Sequence, residues 1–102
     1  MNEVNAAQAQ EAIDAGGVVL VDLHADWCKF CQTTRPHLET IDSERDDITM
    51  VAIDTDMDPD AYPNFEVKTL PTIILYRDGK ELARRGSGEY EELNVWLSEH
   101  GV

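Results

Sequence analysis

The chain has 102 residues, 42% of them hydrophobic, with 21 acidic against 8 basic side chains and a formal net charge of -13. That length fits one compact domain, 1–102, whose apolar share can fill a core without disulfide or metal staples. The charge argues against nucleic acid, whose phosphates would repel it, and no stretch reads as a membrane span.

Met1 to Ala15 is polar and alanine-rich, with no basic residue ahead of an apolar region, so no signal peptide and a cytoplasmic location are expected. Only three of the basic residues are lysines, Lys29, Lys68 and Lys80. Such an acidic excess keeps a protein soluble but self-repelling, as in halophiles. A high-salt cytoplasm and a merely acidic protein are both open readings.

Residues 5–15 read as a helix, with Asn5 as cap, Gln8 at the capping-box position and Gly16-Gly17 as the stop. Val4 belongs to a segment too brief to assign, though it suits a short strand. Val18 to Leu23 is an apolar run of strand length that carries one carboxylate, Asp22. From about Lys29 the period becomes helical, with Phe30, Thr34, Leu38 and Ile41 on one face and Pro36 expected to kink the helix. Ile48 to Ile53 is a second strand, which makes strand, helix and strand a right-handed βαβ unit with parallel strands.

The polar segment from Asp54 to Val67, with Pro59 and Pro63, reads as a short helix between loops. Thr69-Leu70-Pro71-Thr72 precedes the apolar run Ile73 to Tyr76. Asp78-Gly79 is a hairpin turn, and Lys80 to Arg85 is the returning strand. After Gly86-Ser87-Gly88 a last helix runs from about Glu89, with Tyr90, Leu93, Trp96 and Leu97 inward.

Chemistry concentrates where the first long strand meets the first long helix, at Cys28-Lys29-Phe30-Cys31. Thiols at a helix N-terminus meet unpaired N–H groups and the positive end of the dipole, so they lose their protons more easily than free cysteines. Without a secretory leader, such a close pair is catalytic or metal-binding more often than structural. His24, Cys28, Cys31 and His37 could in principle supply four zinc ligands, whereas iron–sulfur clusters need more thiolates. Asp22 at a sheet edge would be only a solvated carboxylate, and Trp27 could be plain core.

The βαβ half, the antiparallel hairpin and the closing helix, with Cys-x-x-Cys after the first core strand, resemble the thioredoxin family. The matching residues are Val19 to Leu23, Ala25 to Cys31, Pro36, Leu70-Pro71-Thr72, Asp78-Gly79 and Gly86. The resemblance implies an α/β thioredoxin fold, a central mixed sheet of four to five strands flanked by helices on both faces. It implies a protein-disulfide reductase with Cys28 as exposed nucleophile, Cys31 as buried resolving thiol and Asp22 as the buried carboxylate behind them. It places a cis-proline at Pro71 and substrate contacts at Trp27, Leu70, Pro71 and Gly86. No cofactor or metal beyond the Cys28–Cys31 pair is implied. The partners it implies are disulfide-containing client proteins and a thioredoxin reductase or equivalent donor, with the chain itself monomeric.

The sequence departs from that family in four places. Lys29-Phe30 stands where Gly-Pro is usual; the added positive charge favours the Cys28 thiolate and a more oxidising pair. His24 replaces a common aromatic. The lysine that accompanies the buried aspartate is absent, with Ala52 at its place, which leaves Asp22 without a nameable cation. Arg85 replaces an apolar residue beside the substrate groove and would favour acidic clients. A disulfide isomerase or oxidant, and a redox-sensing binding module of the same fold, are the alternatives to a reductase.

Overall fold

The computed structural model describes all residues, Met1–Val102. Strand β1 (Asn2–Glu3) is followed by helix α1 (Ala6–Asp14). The helix starts where the sequence places it, because the Asn5 side chain accepts from the Gln8 backbone N–H and the Gln8 side chain returns to the Asn5 N–H. Its buried stripe, Ala6, Ala9 and Ile13, follows helical spacing. Gly16 and Gly17 then take positive φ values of 88° and 75°, which turn the chain into strand β2 (Val18–His24).

Helix α2 (Lys29–Glu44) runs as one element through Pro36, which forgoes a single backbone donor. Its buried residues are Cys31, Thr34, Leu38 and Ile41. Phe30, expected on this inner face, is instead 68% exposed. Cys31 is the buried residue of the helix's first turn, which starts beyond the C-terminal end of β2. Strand β3 (Ile48–Asp54), the one-turn helix α3 (Ala61–Asn64), strands β4 (Thr72–Arg77) and β5 (Lys80–Arg85), and helix α4 (Tyr90–Glu99) complete the chain. Asp78 and Gly79, at φ 51° and 85°, form the tight turn of the β4–β5 hairpin. Helix α4 begins on a Glu89–Glu92 capping box.

The strands make one five-stranded sheet in the order β1-β3-β2-β4-β5. The pairs β1–β3 and β2–β3 are parallel, and β2–β4 and β4–β5 antiparallel. Val4 extends the edge pairing only through its N–H, which donates to the Ala52 carbonyl at 2.8 Å. Two apolar layers cover the sheet. Val19, Val21, Leu23, Val51 and Ile53 pack with α1 and α3, while Leu20, Met50, Ile73 and Leu75 pack with α2 and α4. Strand β2 is therefore buried on both faces, which is why it reads as a continuous apolar run. No helix is long and apolar enough to cross a membrane.

Candidate active site

The turn Ala25-Asp26-Trp27-Cys28 leads from the C-terminal end of β2 into α2 and is closed by the Cys28 N–H donating to the Ala25 carbonyl at 3.2 Å. Cys28 is the N-cap of α2, and its Sγ accepts the Cys31 backbone N–H at 3.2 Å. The cysteines form a disulfide with Cα atoms 5.2 Å apart, a spacing that needs no backbone movement to bridge. Reduction would leave Cys28 Sγ at the positive end of a sixteen-residue helix, with an N–H already aimed at it.

One expectation changes here. Cys28 was expected exposed and Cys31 buried, but in the disulfide they are 6% and 5% exposed. Exposure does not separate them; position does. Cys28 receives the helix-end N–H, whereas Cys31 is the third residue of α2, within its first turn. Trp27 and Phe30 flank the pair and are 66% and 68% exposed, so neither is core, and Lys29 between the cysteines is exposed too.

Asp22 sits on β2, the central strand, between Ala52 of β3 and Ile73 of β4. It is 2% exposed, which excludes a solvated edge carboxylate. Alternation along β2 points Leu20, Asp22 and His24 to the face that α2 covers. Burial is the largest influence on its acidity and pushes the pKa up to about 6; Glu3 and Glu39 push the same way, while His24 and Arg35 oppose. Its Oδ1 has no hydrogen-bond partner.

The expectation that Asp22 lacks a cationic neighbour is overturned. Arg35, one turn beyond Cys31 on α2, brings Nη1 to 3.8 Å from Asp22 Oδ2. The same guanidinium pairs with Glu3 through Nη2 and with Glu39 through Nε, the latter at 2.8 Å. Glu3 also accepts from His24 Nε2 at 2.7 Å, so that ring nitrogen carries the proton. Periodicity could not find Arg35's part in the site, because Glu3 and Asp22 reach it from β1 and β2.

The residues that the resemblance places on the substrate side come from the other half of the chain. The Leu70–Pro71 bond is cis, as the resemblance implied. Pro71 immediately precedes β4, whose Thr72 pairs with Leu23, so it reaches the same end of the sheet as Cys28. Gly86 follows β5 beside it, and a Cβ there would stand 3.8 Å from the Pro71 carbonyl oxygen. The Arg85 guanidinium lies 5.8 Å from the Trp96 ring centroid, and its Nη2 donates to the Ser87 carbonyl at 3.0 Å. No three His, Cys, Asp or Glu side chains are grouped to hold a metal, and His24 and His37 face different cavities.

A thiol pair at a helix start, a buried carboxylate on the central strand and a cis-proline at one sheet end together suit dithiol–disulfide exchange. The thioredoxin family model matches residues 1–99. The chain belongs to the thioredoxin family. It is 36% identical to a thioredoxin of Chlamydia trachomatis over 84% of this chain and 85% of that one. A thioredoxin of Chlamydia pneumoniae is 34% identical over 98% of this chain and 99% of its own. Among solved structures, Fasciola hepatica thioredoxin superposes with a TM-score of 0.88 at 26% identity, covering 98% of this chain and 99% of that one. This thioredoxin-family protein is accordingly a thiol–disulfide oxidoreductase, a protein-disulfide reductase with a Cys-x-x-Cys redox pair.

Proposed function

We propose that Cys28 is the attacking thiol, Cys31 the resolving thiol and Asp22 the base for the second step. The observation that carries this reading is the N-cap position of Cys28, whose sulfur accepts the Cys31 N–H. The Cys28 thiolate attacks a client disulfide, forms a mixed disulfide and expels one client sulfur as a thiolate. Asp22 then takes the Cys31 proton, and the Cys31 sulfur attacks Cys28. The Cys28–client bond breaks, the second client sulfur leaves with the electron pair, and the Cys28–Cys31 disulfide remains. Trp27, Leu70, Pro71 and Gly86 form the surface on which an extended client segment lies, with strand-like backbone pairing. Insulin reduction with a dithiol donor tests the reading, and an intact protein without turnover refutes it.

The direction of electron flow rests on Lys29 and Phe30. Lys29 is exposed beside Cys28, and its charge stabilises the thiolate and so the reduced pair. Phe30 removes the ring that usually stiffens the turn. The couple is expected to be less reducing than the about -270 mV of a common thioredoxin. A redox titration giving an equal or more negative potential would overturn this. A markedly higher potential, together with rescue of scrambled ribonuclease, would favour an isomerase or oxidant.

The partners of this reading are disulfide-containing clients and a reductase that recharges the pair, with the chain acting as a cytoplasmic monomer and one domain over 1–102. The net charge of -13 fits a high-salt interior. On that reading, removing potassium chloride lowers the unfolding midpoint. A midpoint indifferent to salt sinks it.

A further inference from the structure

The sheet register sets one row of residues across the face that α2 and α4 cover: Glu3, Ala52, Asp22, Ile73 and Arg85, one from each strand. Ala52 is fully buried between two carboxylates, Glu3 and Asp22. Arg35 reaches this row from α2. The guanidinium meets Glu3 and Asp22 on either side of Ala52 and is held from its own helix by Glu39. A cavity of about 290 Å³ opens beside it, lined by His24, Ala25, Asp26, Cys31, Gln32 and Arg35. Arg35 thus stands between the resolving thiol, the buried carboxylate and solvent.

Resting on the roles assigned to Asp22 and Cys31, we propose that Arg35 is a positioning residue that keeps the Asp22 carboxylate ionised for the resolving step, its guanidinium aimed by Glu3 and Glu39. Burial disfavours the charged form of Asp22, and a cation 3.8 Å away offsets part of that effect. The other titratable groups facing Asp22 are His24 on β2, Glu3 on β1 and Glu39 on α2; β4 offers only Ile73 there. His24 is tied to Glu3, while Arg35 alone has an ion-pair contact with Asp22 itself. The charge therefore reaches Asp22 from a helix, where the family resemblance would place it on the neighbouring strand.

The resolving step can be read in isolation with the aromatic disulfide dithiobis(nitrobenzoate). Reduced protein releases one thionitrobenzoate when Cys28 attacks and a second when Cys31 displaces the one left on Cys28. The pH profile of the second release is the measurement. Arg35→Gln is expected to move its midpoint up by about one pH unit, slowing release about fivefold near pH 6 and little near pH 8. Arg35→Lys should keep most of the wild-type profile. In an Asp22→Asn background, Arg35→Gln should have no further effect, because the charge acts through the missing carboxylate. An unmoved midpoint in folded Arg35→Gln, or the same slowing without Asp22, overturns the proposal. Absence of a second release from the wild type would instead overturn the role given to Cys31.

Discussion

Replacing Cys31 with serine is expected to stop turnover after its first half. The Cys28 thiolate, at the start of α2, still attacks a client disulfide because its helix-end environment is unchanged. No second thiol then displaces the client, so mixed disulfides accumulate and are captured on non-reducing gels. Replacing Cys28 instead removes the attack, and insulin reduction should fall on the order of a thousandfold or more, with no client captured. The two variants separate the sulfurs by role, which their near-equal burial cannot do. Capture of clients by Cys28→Ser and not by Cys31→Ser would reverse the assignment.

Asp22→Asn is expected to stabilise the fold at neutral pH while it impairs the resolving step. Asp22 has a pKa raised from 3.8 to about 6, chiefly by burial. Below the unfolded value both states hold the proton and the side chain carries no penalty. Between 3.8 and about 6 the unfolded chain releases a proton that the folded chain keeps, so stability falls as pH rises through that window. Above it the loss is constant at about 3 kcal/mol, from roughly 1.4 kcal/mol per pK unit. Asparagine removes the charge but keeps an unpaired buried polar atom, so a gain of about 2–3 kcal/mol is expected near pH 7. For a domain of this size that is a rise of roughly 10 °C or more in Tm. The advantage over wild type should vanish near pH 3. An equal gain at acid and neutral pH would show that packing, and not ionisation, is responsible.

Much of this molecule is legible one segment at a time. The Asn5–Gln8 cap, the Gly16-Gly17 stop and the Asp78-Gly79 turn each depend on residues a few positions apart, and each folds as local rules require. The strand Asn2–Glu3 escapes such reading because two residues carry no period; only its partner β3 makes it a strand. Phe30 misleads for a related reason. Helical spacing gives it an inward position, but the first turn of α2 lies at the rim of the sheet, where its ring meets solvent.

Local sequence suffices for the order of elements, the apolar central strand, the thiol pair at a helix start and, through resemblance, the reaction. Those features rest on neighbours along the chain, where spacing and turn chemistry act directly. That Arg35 meets Asp22, that Glu3 ties Arg35 to His24, and that Arg85 lies over Trp96 emerges only from the folded packing. Each of these contacts joins side chains from separate elements, beyond the reach of local spacing, and the sheet register brings Glu3 and Asp22 to either side of Ala52. The charge beside the buried carboxylate is thus a property of packing, invisible in any one segment of the chain.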